Sequence, residues 1–311
     1  MNSTTYFYSA WGFETLSPNV NIFSYTGQKP DEYLKFDKNN LTTDKTNLIL
    51  MNNNPLHIEY FSKCILPYIS YKFVIITSCC DTTFPVETNG WSLQEQQMRG
   101  NNLDNIINHP YFVHWFAINK IIPDNQWFTS IPYGLDYWTL EHLRYWDTPI
   151  MSRIEQDHIL CNIVKQSSHL SKRIPKIYAN WHMNLTDTRF GGMRSKLQTI
   201  IPPNIIYYAQ NQSRSDYWVE CSKYAFVVSP FGNGLDCIRT WEALCLGCIV
   251  IVKTSPLDNL YTDLPVAIIQ EWTDINEQLL NSILLDFSNK TFNMEKLTMK
   301  YWSEKVVSKL L

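Results

Sequence analysis

The 311-residue chain has no run of basic residues and no cysteine spacing typical of a disulfide scaffold. It also lacks any apolar stretch near the roughly 20 residues that span a bilayer. Net charge is −3 and the pI is near 6.2, so a broad nucleic-acid footprint and a membrane span are not expected. Residues Met1 to Ala10 are polar and aromatic. They lack the basic start and apolar core of a secretory signal, and the eight cysteines read as reduced, which together favour the cytosol. Cys245 and Cys248 form a C-x-x-C, but they straddle Gly247 at what reads as a helix-to-strand turn. With no second pair, packing is the default reading.

Several ligand motifs are missing as well. The phosphate-loop pattern G-x-x-x-x-G-K-S/T is absent. Gly232-Asn-Gly234-Leu-Asp-Cys237 has only two of the three glycines of a dinucleotide fingerprint, and the strand after it ends in Lys253 rather than an acid. His109 and His114 do not have zinc-protease spacing. A buried, hydrogen-bonded histidine is the default for both; an acceptor contact or an alternative base is the sharper reading.

What is present fits a globular α/β protein. Hydrophobic residues make up 45% and charged residues 18% of the chain, enough for a core. The length favours two domains. Aromatics reach 14%; their faces suit sugar stacking, although packing is the default for any one of them. Short apolar runs read as buried strands at Asn47–Met51, Lys72–Ile76, Trp127–Ile131, Lys176–Trp181, Ile205–Tyr208, Ala225–Val228, Ile249–Val252 and Val266–Ile269. Helical spacing appears over Leu56–Ser70, with Ile58, Phe61, Ile65 and Ile69 on one stripe, and over Leu93–Ile107, Asp236–Leu246 and Asn293–Leu311. Strands alternating with helices predict parallel sheets. Two such series flank the polar stretch Glu155–Lys172, read as the hinge.

The segment Tyr224–Asp263 carries the most chemistry. A strand ends at Val228, and Ser229, Pro230, Phe231, Gly232, Asn233 and Gly234 form a tight loop. Glycines there permit close backbone approach to a ligand. Asp236 reads as the cap of the following helix, whose free N–H groups and positive dipole end suit a phosphate. Arg239 and Glu242 share one face of that helix. Arginine binds a diphosphate bidentately and a carboxylate accepts from ribose hydroxyls; the alternative is an exposed i, i+3 ion pair.

SPFGNGLDCIRTWEALCLGCIVIVKTSPLDNLYTDLP (Ser229–Pro265) resembles the donor-binding half of exostosin-like glycosyltransferases of the GT-B architecture, a group with short relatives in large DNA viruses and bacteria. The likeness extends weakly to Ile131–Leu140 and Lys176–Arg189. It implies two Rossmann-like domains with parallel sheets facing a central cleft. Residues 1–165 would form the acceptor side, 166–290 the donor side, and 291–311 a helix returning to the first domain. The resemblance implies a nucleoside-diphosphate sugar, a UDP-sugar foremost, with Arg239 on the diphosphate and Glu242 on the ribose. The acceptor would be a glycan or other hydroxyl, and the setting cytosolic, including that of a virus-infected host cell. No D-x-D is present, so no metal or other cofactor is expected.

Further donor contacts are expected from Arg189 or Arg194 across the cleft, and from Lys253, Ser255 and Asp258 past a strand end. Asn180 follows the strand that opens the second half. Ser213, Arg214 and Tyr217 read first as a surface helix. An inverting transfer needs a general base; Asp81, at a strand's C-terminal edge, is the choice by position, with Glu87 its rival. Asp136 reads as a turn residue capping the next helix. Two other readings stay open: a non-catalytic glycan- or nucleotide-binding module, and a sugar-nucleotide epimerase, the latter weakened by the broken fingerprint.

Overall fold

The protein is described as a computed structural model covering residues 5–16, 22–25, 46–78, 80–85, 101–145, 148–181, 190–210 and 212–311. The first half holds strands β1 (Ile22–Tyr25), β2 (Asn47–Asn52), β3 (Phe73–Ser78), β4 (Phe112–Ala117) and β5 (Phe128–Ser130), with helices α1 (Pro55–Tyr60) and α2 (Trp138–His142). The second half runs α3 (Arg153–Gln166), β6 (Ile174–Ala179), α4 (Leu197–Ile200), β7 (Ile206–Tyr208), α5 (Arg214–Cys221), β8 (Tyr224–Val228), α6 (Ile238–Cys245), β9 (Ile249–Lys253), β10 (Val266–Ile269), α7 (Glu277–Ser288) and α8 (Met299–Val307). The fold is α/β, with two sheets of five parallel strands each.

The two sheets differ in winding. The first runs β1-β2-β3-β4-β5, each strand beside its sequence neighbours. The second runs β10-β9-β8-β6-β7. Its order reverses between β6 and β8, which makes a crevice at their carboxyl ends where open α/β sheets take ligands. Both faces of each sheet are covered, which is why the strands read as continuous apolar runs rather than alternating ones. In the second sheet Ile177, Phe226, Ile249 and Ile251 pack with α4 and α7 residues Leu197 and Leu280. Tyr178, Val227 and Val250 join the cluster of Trp218 and Trp241 from α5 and α6. In the first sheet Ile49, Phe73, Ile75 and Trp115 pack on Ile58, Leu103 and Ile106. Leu48, Leu50, Val74, Ile76 and Phe116 join the larger cluster that also holds Phe7, Tyr8, Phe13, Met299 and Trp302.

The chain's C-terminal segment meets its N-terminal one. Tyr8 N donates to Leu297 O at 2.8 Å and Met299 N to Tyr6 O at 2.9 Å. The Trp302 ring lies 5.8 Å from that of Tyr8.

The structure refines several sequence expectations. The first part of the polar stretch Glu155–Lys172 is helical, in α3, a 14-residue helix opened by a Ser152–Glu155 capping box. Its Asp157 accepts from Tyr6 N, Phe7 N and Tyr137 Oη, so that polar residue serves tertiary hydrogen bonds. The expected helix Leu56–Ser70 is broken into α1, a π-turn Phe61–Ile65 and a 3-10 turn Leu66–Tyr68. Pro67 has no N–H to donate to the preceding turn, yet Ile58, Phe61, Ile65 and Ile69 are all buried as the stripe required. β1 and β4 were not anticipated. Of the helix expected over Leu93–Ile107, residues 101–107 are helical and the rest lies outside the described residues. No helix among the described residues is long and apolar enough to cross a membrane.

Candidate functional site

A cavity of about 440 Å³ opens at the crevice between β6 and β8. That volume lies within the roughly 300–1,000 Å³ of small-molecule sites. Asn180 and Arg194 reach it from the segment after β6, Gln210 and Gln212 from after β7, and Gly232 to Glu242 from the loop and helix after β8. Asp81 and Tyr133 close it from the carboxyl ends of β3 and β5. Both sheets therefore present the same edge to one cavity.

The loop after β8 is seated by contacts that tolerate little bulk. A Cβ on Gly234 would lie 2.9 Å from Asp81 O and 3.0 Å from Asn119 Nδ2. A Cβ on Gly232 would lie 2.9 Å from Arg194 Nη2. Asn119, at positive φ of 50°, accepts from Asp236 N at 2.8 Å and donates to Cys80 O at 3.3 Å. It thus stitches the β3 loop to the glycine loop. Gly234→Ala is expected to lower stability by about 1–3 kcal/mol through overpacking against backbone. It should also weaken ligand binding more than Gly232→Ala does, because Arg194 is a side chain that can shift. Denaturant melts and ligand titrations of the two variants check this.

Asp236 does not cap α6 as the sequence led us to expect. Cys237 is the N-cap and supplies no side-chain cap. The Asp236 carboxylate instead accepts from Tyr133 N at 2.7 Å, Trp241 Nε1 at 2.9 Å and Cys237 N at 2.9 Å. It is a buried clasp between the two halves. Burial pushes its pKa up to about 6, against the opposing pull of these donors. The folded state therefore holds this proton over a pH range in which the unfolded chain has released it. This residue's contribution to stability falls by about 1.4 kcal/mol per pH unit as pH rises from 4 to 6, then levels off. The stability difference between wild type and Asp236→Asn, followed by denaturant melts across pH 4–8, should show that slope and plateau.

The start of α6 faces the cavity, which Asp236, Cys237, Ile238 and Arg239 line. No acceptor for the backbone N–H of Ile238 or Arg239 occurs among the described residues. Arg239 Nε donates to Asn180 Oδ1 at 3.0 Å, and its Nη1 is buried without a partner. Arg194, buried, donates from Nε to Phe231 O at 2.8 Å. Burial and then the neighbouring Arg239 pull its pKa down. Neither arginine makes a salt bridge among the described residues. The two cations repel each other, and although Asp81 on the same wall acts on Arg194, neither has a carboxylate within ion-pair distance among the described residues. Asn233 Oδ1 and Tyr217 Oη, both on the wall, are also buried and unpartnered.

Glu242 is not the i, i+3 partner of Arg239. Its Oε1 accepts from Arg214 Nη2 at 2.9 Å, Arg214 Nε at 3.1 Å and Trp218 Nε1 at 3.1 Å. Arg214 also donates to Asp136 O and to Gln156 Oε1 and lies over the Trp218 ring. Arg214 and Tyr217, read from sequence as surface-helix residues, are buried and line the cavity. The signal was available: Arg214, Tyr217, Trp218 and Cys221 form an i, i+3, i+4, i+7 stripe, the buried side of a helix.

Other expected residues lie elsewhere. Ser229 is buried behind the loop and accepts from Thr240 Oγ1 at 2.9 Å. Lys253 pairs with Glu271 at 2.7 Å. Ser255 and Asp258 hydrogen-bond each other in a turn, and neither these two nor Lys253 line the cavity. Asp136 accepts from Thr139 N at 3.0 Å in the first turn of α2. His114 is buried on β4 between Gln126 O and Thr129 Oγ1, and burial lowers its pKa to about 4, the structural role given as its default. His109 packs against Phe73. Among the described cysteines all are free, and Cys221 and Cys248 approach to 4.0 Å. Arg189 and Glu87 lie outside the described residues.

No protein-family model and no curated protein matches the chain. The class its own geometry defines is a two-sheet α/β protein with a cavity at the carboxyl ends of both sheets, lined by Arg194 and Arg239.

Proposed function

We propose that this protein is a glycosyltransferase of the GT-B kind. It moves a sugar from a nucleoside-diphosphate sugar, a UDP-sugar foremost, to a hydroxyl of a glycan or other acceptor. The observation that carries this reading is the pair Arg194 and Arg239. Both face the cavity at the β6/β8 crevice, without an ion-pair partner among the described residues and beside the open N–H groups of α6. A diphosphate supplies the missing charge. Glu242, on the same helix as Arg239, takes the ribose, and Gln210 and Gln212 line the way to the base.

In this reading the acceptor oxygen attacks the anomeric carbon while the bond from that carbon to the diphosphate breaks. Arg194, Arg239 and the start of α6 stabilise the charge that builds on the leaving diphosphate. Asp81, across the cavity on the loop after β3, takes the acceptor proton. In this reading the arginines perform the charge neutralisation that a bound cation supplies in other transferases.

A thermal-shift screen against UDP, GDP, TDP, CMP and NAD tests the reading. A ligand at 100 times its Kd adds about 2.7 kcal/mol to stability. One nucleoside diphosphate should raise the midpoint, and its sugar conjugate should be consumed when an acceptor is present. Binding without consumption would favour the non-catalytic module, and a response to NAD alone would overturn the transferase.

A further inference from the structure

Cys248 shares a C-x-x-C with Cys245 in sequence but meets a different thiol in space. Its Sγ lies 4.0 Å from that of Cys221, the last residue of α5 and 27 positions earlier. Both residues are fully buried, at 0% exposure. Beside them stands Arg173, buried just ahead of β6. Its guanidinium donates from Nη1 to Cys248 Sγ at 3.5 Å, from Nη2 to Leu246 O at 2.9 Å and from Nε to Ser168 O at 3.0 Å. Gly247, at a positive φ of 76°, leaves room for it: a Cβ there would lie 2.9 Å from Arg173 Nη2. Arg173 makes no ion pair among the described residues. Of its three hydrogen-bond partners, Cys248 alone can carry a negative charge.

We infer that Cys221 and Cys248 form a redox-active dithiol with Arg173 as its counter-charge, and that a small peroxide converts it to a disulfide that staples the segment carrying the glycine loop and α6. As a thiol, Cys248 donates weakly to Cys221 O and Tyr224 O, both at 3.6 Å. On losing its proton it faces the Cys221 S–H and Arg173 Nη1. The hydrogen bond from Cys221 and, against burial, the charge of Arg173 hold its pKa below the usual thiol range. The thiolate is the nucleophilic form of cysteine.

The Cys248 thiolate attacks one oxygen of hydrogen peroxide, the O–O bond breaks, and a sulfenic acid and hydroxide result. The Cys221 sulfur then displaces the sulfenic hydroxyl and the S–S bond forms. The two sulfurs lose two electrons, the peroxide gains them, and the thiol protons end in two molecules of water. Burial selects for an oxidant of this size. It enters by the turns beside the pair, where Lys223 is exposed and Gly247 half-buried. The sulfurs close to about 2.0 Å. The new bond encloses residues 222–247, which hold the loop after β8 and α6 with Arg239 and Glu242. A cross-link of this kind stabilises by restricting the unfolded chain.

The test is peptide mapping. Folded protein is alkylated to block accessible thiols, treated with hydrogen peroxide, unfolded, alkylated again and digested without reductant. The Cys221 and Cys248 peptides should appear linked, and the melting midpoint should rise by several degrees. A phosphine reductant should reverse both. Cys221→Ser should form no link and gain nothing in midpoint. Arg173→Gln keeps a donor for Leu246 O and removes the charge, so linking should slow several-fold. Wild type in which both thiols stay free, or in which Cys248 goes on to sulfinic acid unlinked, would overturn the dithiol. Linking at the wild-type rate in Arg173→Gln would remove Arg173 from it, and a linked protein with an unchanged midpoint would overturn the staple. Nucleotide binding plays no part in these readouts, so their failure leaves the donor reading standing.

Discussion

Arg239→Ala should reduce sugar transfer by at least about 100-fold, in line with the loss of one preorganised charge partner of a developing oxyanion. It should also weaken binding of the free nucleoside diphosphate. The fold should survive, because Arg239 makes one side-chain hydrogen bond, to Asn180, and no ion pair among the described residues. Removing it relieves the repulsion that lowers the Arg194 pKa, so the melting temperature of the ligand-free protein should hold or rise. Loss of activity without loss of stability is the signature of a residue kept for a ligand. Steady-state kinetics and a thermal melt of the same preparation check both halves. A variant with near-normal turnover would remove Arg239 from the chemistry.

Arg214→Met should have the opposite profile. Arg214 and Glu242 form a buried pair at 2.9 Å, with side chains 4% and 9% exposed. Removing the cation leaves a buried carboxylate with only Trp218 as a described donor, and such losses cost about 3–5 kcal/mol. Arg214 also joins α5 to the turn at Asp136 and to α3, so the damage should reach the packing between the two halves. Adding Glu242→Gln should restore much of the stability, because the uncompensated charge goes with it. It should not restore donor binding, because the carboxylate that takes the ribose in the proposed reading is replaced by a neutral, weaker acceptor. Urea melts of the single and double variants give the coupling. A single variant within about 1 kcal/mol of wild type would mean the pair is solvated far more than its geometry implies.

The sequence was most legible where local rules suffice. The eight expected strands are all present, with ends shifted by at most two residues, because each is a short apolar run, and the central ones β3, β8 and β9 are buried almost throughout. β4 is less plain in sequence because His114 interrupts the apolar run of Phe112–Ala117. The structure pairs the His114 and Trp115 side chains with β-strand and loop neighbours. The glycine loop and the face of α6 were readable for the same local reasons. Asp236 was assigned to its nearest helix, as local capping rules require, whereas its main partner is Tyr133 N, 103 positions away. Arg214 was discounted because its value depends on Glu242, 28 positions on, and no spacing rule reaches that far. Lys253 and Ser255 follow a strand's carboxyl end as expected. They sit past β9, one strand removed from the β6/β8 reversal, and a strand order of that kind is not written in any one segment.

The most direct test of the central claim is a crystal structure of the protein soaked with UDP or GDP. The account predicts a diphosphate within hydrogen-bond distance of both Arg194 and Arg239, its ribose against Glu242. A nucleotide bound elsewhere, or bound in the cavity with both guanidinium groups turned away from its phosphates, would contradict it.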